Sequence, residues 1–434
     1  MGDSHIVCHF KKSQDFSILS PGSIMQGMGN IKKNMERVRI GILGSGFSAH
    51  LHLSNYKKLR GHKMEVVAAA ARSEKSASRF AKTFDVPKIY IDYRKLVEDP
   101  DVDIVDVCLP TDVHKEAIIA AAEAGKHVIC EKPLTGYFGK DLDEERVADK
   151  VPRETMLREA MKSCREIRGA IERNRVTFGY AEDWIYAPPF VKLKRMVDVS
   201  GGVVMDIRAE ESHSGSHAAY SRRWKTSGGG SLARLGSHPI GAALHLKHFE
   251  GQIREGKPIR GTSVIAAVGH HTQIPSYRKM SKKWLVSDWE DVEDWSSLII
   301  EFEDSTHAVI MATDGMLGGT RNMMEVYLSN AVVRMNMCSN TAVEVYAPDS
   351  GVFGDEYLVE KLQTKAGWNF PSPDEDWERG YPQELEDFID AILEDREPIS
   401  GLDLAEEVVN VIYSGYVSAE NGGRVSLFQG SRNG

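Results

Sequence analysis

This 434-residue sequence has few cysteines, no long apolar run and no excess of basic residues. Its five cysteines, Cys8, Cys108, Cys130, Cys164 and Cys338, are an odd number without zinc-type spacing, which favours reduced thiols in a cytoplasm. No apolar run approaches the roughly 20 residues that span a bilayer, and the start of the chain lacks the apolar core of a secretory signal. The net charge of −9 argues against a nucleic-acid or anionic-membrane partner. We therefore expect a cytoplasmic protein without either partner.

The most informative segment is residues 38–54, VRIGILGSGFSAHLHLS, where an apolar run leads into Gly44-x-Gly46-x-x-Ala49 and a helical pattern. Gly44 allows a tight strand-to-helix turn, Gly46 lets the backbone approach a pyrophosphate, and Ala49 lets the helix pack closely on its strand. The unpaired N–H groups of the helix start then face the anion. Alone, the motif also fits a glycine-rich turn without a ligand, but the surrounding pattern favours a dinucleotide site.

That pattern is an alternation of apolar strands and amphipathic helices. Strands are predicted at Val38–Leu43, Glu65–Ala71, Ile104–Leu109 and His127–Cys130, with helices beginning near Ser48, Ser73, His114 and Pro152. Continuous apolar strands separated by helices predict an α/β protein with a doubly wound parallel sheet of the Rossmann type. From about residue 182 the sequence changes to several adjacent strand-like segments with few helices, which predicts an α+β domain with an open, mostly antiparallel sheet.

The sequence thus divides into an extension at 1–36, a Rossmann domain at 37–181 and a second domain at 182–434. Within the Rossmann domain, residues 137–154 form a charged insertion. We expect this insertion to be a solvated surface excursion, with a lid or an oligomer contact as the alternatives. The extension has no clear periodicity, which indicates a mobile segment or a subunit contact.

The carboxyl ends of the parallel strands meet at one crevice, where such a sheet binds its ligand. We expect NAD(P) there, contacted by Gly44, Gly46, Phe47, Ser48, Ala49, Arg72, Ser73, Pro110, Thr111, His114, Glu131 and Lys132. The second strand ends near Arg72 instead of the usual acid, which favours NADP slightly over NAD because an arginine accommodates a 2′-phosphate. Alternatively, Arg72 turns to solvent and NAD binds without the acid.

Four segments carry a resemblance to a known family. They are DVDIVDVCLPTDVHKEAIIAAAEAGKHVICEKPL at 101–134, GGGSLARLGSH at 228–238, VEDWSSLIIEFEDSTHAVIMA at 292–312 and YPQELEDFIDAILEDREPISGLDLAEEVV at 381–409. The sequence resembles the Gfo/Idh/MocA oxidoreductases over nearly everything after residue 36. The resemblance implies a second-domain sheet that covers the nicotinamide and forms a homo-oligomer interface. It also implies that the dinucleotide is, in some members, retained tightly through turnover.

The resemblance assigns the chemistry to two residues. Lys132, in the Glu-Lys-Pro motif, is expected to contact or relay protons to the reacting hydroxyl, and His238 is expected to act as acid and base. Family dehydrogenases commonly have an aspartate four residues before this histidine, where this chain has Arg234. An arginine stays protonated and cannot act as a base. Arg234 is therefore expected to bind a substrate oxygen or carboxylate, or else to pair with Glu182, Glu210 or Glu211.

Further substrate-binding candidates follow the Rossmann domain: Glu182, Asp183, Tyr186, His213 and His217, beside Arg234. The alternative for the first three is a domain-junction strand with ordinary salt bridges. The His213/His217 spacing could serve a metal on a helix, but ESHSGSH is too rich in Gly and Ser to predict one. We expect no metal site.

The leading functional hypothesis is an NAD(P)-dependent dehydrogenase. It would transfer a hydride between nicotinamide and a secondary alcohol of a sugar, glycoside or cyclitol, with C3 of a pyranoside as one candidate position. The alternatives are an NAD-retaining redox glycosidase, a non-catalytic dinucleotide-binding regulator, and an imine reductase acting on amino sugars or keto acids. The sequence does not choose the substrate.

Overall fold

Six parallel strands form the first sheet of the computed structural model, which describes residues 37–59, 61, 64–338 and 342–427. The strands are β1 Val38–Leu43, β2 Met64–Ala70, β3 Lys88–Tyr90, β4 Ile104–Val107, β5 His127–Glu131 and β6 Phe178–Ala181. Their helices are α1 Phe47–Tyr56, α2 Glu74–Phe84, α3 Tyr93–Val97, α4 Thr111–Glu123 and α5 Arg153–Asn174. The spatial order β3-β2-β1-β4-β5-β6 reverses between β1 and β4, so the crevice lies at the carboxyl ends of those strands. The Rossmann prediction is confirmed.

The strand interiors explain why this sheet forms. All four residues of β4 are buried, and β1 is buried at every position but Arg39. Strands covered on both faces read as continuous apolar runs. The short strands β3 and β6 were not predicted, because three or four residues carry no detectable periodicity.

The second sheet is mixed, with strand order β12-β11-β7-β10-β9-β8-β15. Its strands are β7 Val204–Ser212, β8 Gly261–Gly269, β9 Trp295–Phe302, β10 His307–Thr313, β11 Arg321–Leu328, β12 Val332–Asn336 and β15 Val425–Ser426. Only the β7–β10 pairing is parallel among those described, so the prediction of a mostly antiparallel sheet is confirmed. A separate two-stranded sheet pairs β13 Val345–Ala347 with β14 Gly367–Asn369.

Helices cover one face of the second sheet and connect it to the first. They are α6 Pro188–Ser200, α7 Trp224–Ser227, α8 Ser231–Arg234, α9 Ser237–Glu255, α10 Pro275–Arg278, α11 Glu375–Arg379, α12 Tyr381–Glu394 and α13 Leu402–Asn421. Helix α13 packs against α5 and β6 on one side and against α9 and β8 on the other. It is buried around most of its circumference, as expected for a helix between two layers. This helix therefore holds the two sheets together.

The insertion at 137–154 is anchored to the body of the protein. Phe138 and Val147 are buried, while most of its charged side chains are exposed. The indole N–H of Trp224 donates to the Tyr137 carbonyl at 3.0 Å, and the Asp291 carboxylate accepts from the Ala148 N–H at 3.1 Å. The segment is thus a charged surface with an apolar underside.

The structure bears on the expectations about membrane segments and thiols but not on the start of the chain. No helix among the described residues is long and apolar enough to cross a membrane. Cys108, Cys130, Cys164 and Cys338 are free and buried. Cys8 and the predicted extension at 1–36 lie outside the described residues.

Candidate active site

The turn after β1 has the geometry that the glycine motif predicts. Gly44 has φ +117°, and a Cβ there would lie 2.3 Å from the Cys108 carbonyl oxygen, so only glycine fits. A Cβ on Gly46 would meet nothing within 4 Å, so its backbone is open to a ligand. Ala49 is fully buried against the sheet. No side chain caps the start of α1, which leaves its N–H groups for an anion. These features fit a dinucleotide pyrophosphate.

A cleft of about 180 Å³ opens beside this turn. Its wall includes the predicted cofactor residues Phe47, Ser48, Thr111, Glu131 and Lys132. It also includes the predicted proton-transfer and substrate residues Asp183, His213, Arg234 and His238. The structure thus brings the two predicted sets together. A larger groove of about 630 Å³ lies between the insertion and residues 270–291, and none of the predicted site residues lines it.

Four predicted cofactor residues occupy other positions. Arg72 and Ser73 are exposed just after β2, and the Ser73 hydroxyl accepts from the Ser76 N–H at 3.3 Å as the cap of α2. His114 is buried, with its ring nitrogens 2.8 Å from the Leu109 carbonyl oxygen and 3.1 Å from that of Pro133. It ties the end of β4 to the Glu-Lys-Pro segment. Pro110 directly precedes α4.

Lys132 reaches from the end of β5 toward the second sheet. Its Nζ donates to the Arg234 carbonyl oxygen at 2.8 Å, and an ammonium has three donors, so two remain for a ligand. Its backbone N–H donates to Glu131 Oε2 at 3.0 Å, and Glu131 Oε1 lies 3.3 Å from His52 Nε2. Burial opposes ionisation of Glu131, but the hydrogen bond and charge of His52 hold its pKa below the ordinary value. Lys132 is therefore fixed from both sides.

His238 lies in the first turn of α9, against two carboxylates. Its Nδ1 is 2.8 Å from Glu182 Oε1 and 3.0 Å from Asp183 Oδ1, and the Trp184 indole stacks on the imidazole with centroids 6.0 Å apart. Burial lowers the pKa of His238, but Glu182 and Asp183 outweigh it and raise the value to about 10. Burial raises the pKa of Glu182 to about 7. With Nδ1 engaged, Nε2 is the nitrogen left for a substrate.

Arg234 pairs with a residue that the sequence did not suggest. Its guanidinium donates to both oxygens of Asp314, directly after β10, and lies 4.7 Å from the centroid of the Trp289 ring. The expected pairing with Glu182, Glu210 or Glu211 was therefore wrong. Those glutamates have other surroundings: Glu182 faces His238, and Glu210 accepts from Arg321 at 2.8 Å. Eighty positions separate Arg234 from Asp314, and sequence periodicity cannot pair residues across that distance.

The remaining substrate candidates, Tyr186, His213 and His217, lie in three different environments. Tyr186 is buried away from the cleft, donating from its hydroxyl to Asp387 Oδ2 at 2.8 Å and accepting from the Ser400 N–H at 2.9 Å. His213 Nδ1 accepts from the Gly215 N–H at 2.9 Å, and burial places its pKa well below the ordinary value, so it is neutral. His217 is exposed, and the segment between the two histidines forms no helix.

The cleft also contains residues that sequence reasoning missed. They are Glu211, Thr320, Glu360, Lys361, Arg379, Tyr381 and Glu384. Several buried polar atoms of this wall have no hydrogen-bond partner: Asp183 Oδ2, Glu211 Oε2, Arg234 Nε, Arg379 Nε and both oxygens of Glu384. Such atoms cost free energy unless a ligand satisfies them. Their concentration here suits a polyhydroxylated ligand. The signal that the sequence offered for Tyr381 and Glu384 was the family resemblance carried by the 381–409 segment.

Two groups of donors are compact enough to hold a metal ion among the described residues: His52, Asp106 and Cys108, and Glu182, Asp183 and His238. In both, the histidine Nδ1 already lies within 3.0 Å of a carboxylate oxygen. Hydrogen bonding therefore accounts for both groups without a metal.

Family models match two parts of the chain. A model described as "Oxidoreductase family, NAD-binding Rossmann fold" matches residues 38–144, and one described as "GFO/IDH/MocA C-terminal domain" matches residues 190–334. Together they cover more than half of the sequence. The chain belongs to the Gfo/Idh/MocA oxidoreductase family. The resemblance seen in the sequence is thus confirmed, and both domain types match the two sheets described above.

Curated relatives in the Gfo/Idh/MocA family match mainly over part of the chain. Levoglucosan dehydrogenase of Pseudarthrobacter phenanthrenivorans is 36% identical over 107 residues, 23% of this chain and 27% of that protein. Myo-inositol 2-dehydrogenase of Thermotoga maritima is 28% identical over 39% of this chain and 51% of its own length. Trans-1,2-dihydrobenzene-1,2-diol dehydrogenase of Bos taurus is 31% identical over 45% and 52%, respectively. The chain thus spans about half or less of these relatives.

Solved structures agree over nearly the whole fold. GenD2 from gentamicin A biosynthesis, in complex with NAD, has a TM-score of 0.74 at 22% identity, covering 94% of this chain and 100% of that one. Levoglucosan dehydrogenase in complex with NADH has a TM-score of 0.67 at 18% identity, covering 91% and 100%. At these identities, the likeness establishes the Gfo/Idh/MocA fold.

Proposed function

We propose that this protein is an NAD(P)-dependent oxidoreductase that acts on a secondary alcohol of a sugar, glycoside or cyclitol. The observation that carries the proposal is one cleft that is lined by Phe47 and Ser48, directly after the open glycine turn, and by Lys132 and His238. The relatives named for levoglucosan, myo-inositol and a dihydrodiol support an alcohol of this kind. The position on the sugar that we favour is C3 of a pyranoside.

The protein's part in the reaction is to move the hydroxyl proton and hold the substrate. When bound, the nicotinamide accepts or supplies the hydride. In the direction of ketone reduction, His238, which Glu182 and Asp183 keep protonated, gives a proton from Nε2 to the carbonyl oxygen. Lys132, fixed by the Arg234 carbonyl, donates a hydrogen bond to the same oxygen. In the direction of alcohol oxidation, His238 first loses this proton to solvent and then takes the hydroxyl proton through Nε2.

The orientation of the substrate comes from the unpaired polar groups of the wall. Glu211 and Arg379 offer an acceptor and a donor, respectively, to hydroxyls on either side of the reacting carbon. Glu211 Oε2 lies 4.0 Å from His238 Nε2, so a hydroxyl between them can contact both. Asp183 holds the histidine from behind, and Arg234 keeps its charge paired with Asp314.

The cofactor preference rests on Arg72. Its side chain is exposed directly after β2, where an arginine accommodates a 2′-phosphate. We favour NADP slightly over NAD on this basis, with the dinucleotide retained between turnovers. The free buried thiols suit a reducing compartment, and we place the protein in the cytoplasm.

We also propose a homo-oligomer formed through the outer face of the second sheet. Ile265, Ile299 and Val309 lie side by side on β8, β9 and β10, and all three are exposed together with Met311. A contiguous apolar patch on a sheet face indicates a protein contact. Light scattering coupled to size-exclusion chromatography measures the mass that decides this.

The test of the activity combines mass spectrometry of small molecules released on denaturation with absorbance at 340 nm during incubation with sugars, cyclitols and glycosides. A dinucleotide that becomes reduced with one of these compounds is the expected result. Cleavage of a glycoside without net reduction would contradict the dehydrogenase proposal in favour of a glycosidase. The absence of both a bound dinucleotide and any turnover would contradict the dehydrogenase proposal and would favour a regulator.

A further inference from the structure

Glu384 is a buried carboxyl group in the cleft wall without an assigned task. It lies in the first turn of α12, which packs against α1, and its side chain is fully buried. Tyr381 of the same helix and Leu51 of α1 line the cleft with it. Glu384 therefore lies on the side of the cleft formed by the glycine-turn helix.

Neither carboxyl oxygen of Glu384 has a hydrogen-bond partner. Glu293, another buried glutamate, has the hydrogen bonds that are expected for a structural carboxylate. Its oxygens accept from the N–H groups of Gly230 and Leu232 at 3.1 and 2.9 Å and from the Tyr416 hydroxyl at 2.8 Å. Leaving a buried carboxyl unpaired costs free energy that a ligand recovers. The contrast marks Glu384 as a ligand group.

The surroundings of Glu384 set its protonation state. Glu131 at the end of β5 and Glu182 and Asp183 after β6 act on it with like charge, and His52 of α1 opposes them. Burial and the neighbouring carboxylates raise the pKa of Glu384 well above its ordinary value. These surroundings favour the protonated carboxylic acid, which presents one O–H donor and one carbonyl acceptor side by side.

We infer that Glu384 recognises the carboxamide of the nicotinamide ring, donating its O–H to the amide oxygen and accepting from the amide N–H₂. A primary amide presents an acceptor and a donor side by side, which is the complement of a carboxylic acid. The inference rests on the proposed function, because it requires a dinucleotide in this cleft. It also accounts for a buried acid on the α1 side of the cleft.

The test measures binding by isothermal titration calorimetry with three probes: NADH, ADP-ribose, and the reduced 3-acetylpyridine analogue, whose acetyl group keeps the oxygen but lacks the N–H₂. Glu384→Ala should weaken NADH about tenfold, the value of two neutral hydrogen bonds, and leave ADP-ribose unchanged. Glu384→Gln keeps a donor and an acceptor and should bind NADH within about threefold of the wild type. The acetyl analogue should bind wild type more weakly than NADH does, and this difference should shrink in Glu384→Ala.

Two controls separate recognition from folding. Glu386→Ala, an exposed glutamate of the same helix, should change none of the three affinities. The melting temperature of ligand-free Glu384→Gln should equal or exceed that of the wild type, because the replaced group satisfies nothing in the protein. Equal weakening of ADP-ribose and NADH by Glu384→Ala, or an unchanged NADH affinity, would overturn the inference. If the wild type binds neither NADH nor ADP-ribose, the proposed function is overturned, and the inference with it.

Discussion

The glycine end of the cleft is lined by Phe47, Ser48 and Thr111, which come from two strand-to-helix turns, and Gly44 and Gly46 lead directly into the first of these residues. The carboxylate end consists of Asp183, Glu211, Arg234, His238 and Glu384, which come from five elements spread over 200 residues of chain. In the proposed complex, the ligand at the first end meets backbone groups whose positions the sheet fixes. At the second end it meets charged side chains whose positions depend on one another.

This difference determines how each end tolerates substitution. A change at the glycine end acts through the backbone conformation or through the space available to a ligand. A change at the carboxylate end removes a partner from a neighbouring buried charge, as the loss of Arg234 would do for Asp314. The carboxylate end should therefore link stability to function, and the glycine end should allow them to be separated.

The largest expected effect is on stability, at Arg234. Arg234→Ala leaves Asp314 fully buried without its cation and should lower the free energy of unfolding by about 3 kcal/mol. The double variant Arg234→Ala/Asp314→Ala should recover part of that loss. Urea unfolding followed by circular dichroism measures both.

Arg222 provides a matched control for this prediction. Its guanidinium lies over the same Trp289 ring at the same 4.7 Å, but its ion-pair partner, Asp288, is 74% exposed. Arg222→Ala should therefore cost less than about 1 kcal/mol. An equal loss in both variants would mean that stacking on Trp289, and not the buried pair, stabilises this end.

The next effect is on turnover, at the two proton-handling residues. Lys132→Ala and His238→Ala should each lower kcat at least about 100-fold with little change in dinucleotide affinity, as expected when an acid or base is removed. His238→Gln keeps a donor for Glu182 and separates proton transfer from packing. Steady-state kinetics with a substrate identified by the proposed 340 nm screen measures the loss, and His307→Ala at the far end of β10 is the histidine control. Near-normal turnover in either alanine variant would remove that residue from the mechanism.

A third prediction separates stability from binding at the glycine end. Gly44→Ala should lower the free energy of unfolding by about 2 kcal/mol, because alanine rarely adopts φ +117° and its Cβ would contact the Cys108 carbonyl. Gly46→Ala should leave stability unchanged, since its Cβ meets nothing, and should weaken the dinucleotide about tenfold. Thermal melts measure the stability of both variants, and calorimetry measures their affinity for the dinucleotide. Unchanged dinucleotide affinity in Gly46→Ala would show that the ligand does not approach that backbone.

The two ends of the cleft also differ in how well the sequence predicts them. Gly44, Gly46 and Ala49 could be placed from local spacing alone, because their roles concern backbone and neighbours within one turn. Lys132 and His238 were located through the family resemblance. The partner of Arg234 could not be predicted, because an ion pair between α8 and the end of β10 exists only after the second sheet forms. Tyr186 was misplaced for the same reason: Asp387, 201 positions away, holds its hydroxyl.

The smallest predicted effect concerns Arg72, the one residue of the glycine side expected to act through charge. Because Arg72 is exposed, Arg72→Ala should not change the melting temperature. If it binds the 2′-phosphate, the loss of charge-assisted hydrogen bonds should weaken NADP about tenfold and leave NAD nearly unchanged. Calorimetry with both dinucleotides measures the ratio, and Arg79→Ala, another exposed arginine on α2, is the control for general charge. Equal losses for NADP and NAD would show that Arg72 does not discriminate between them, and the glycine end would then bind its ligand through backbone groups alone.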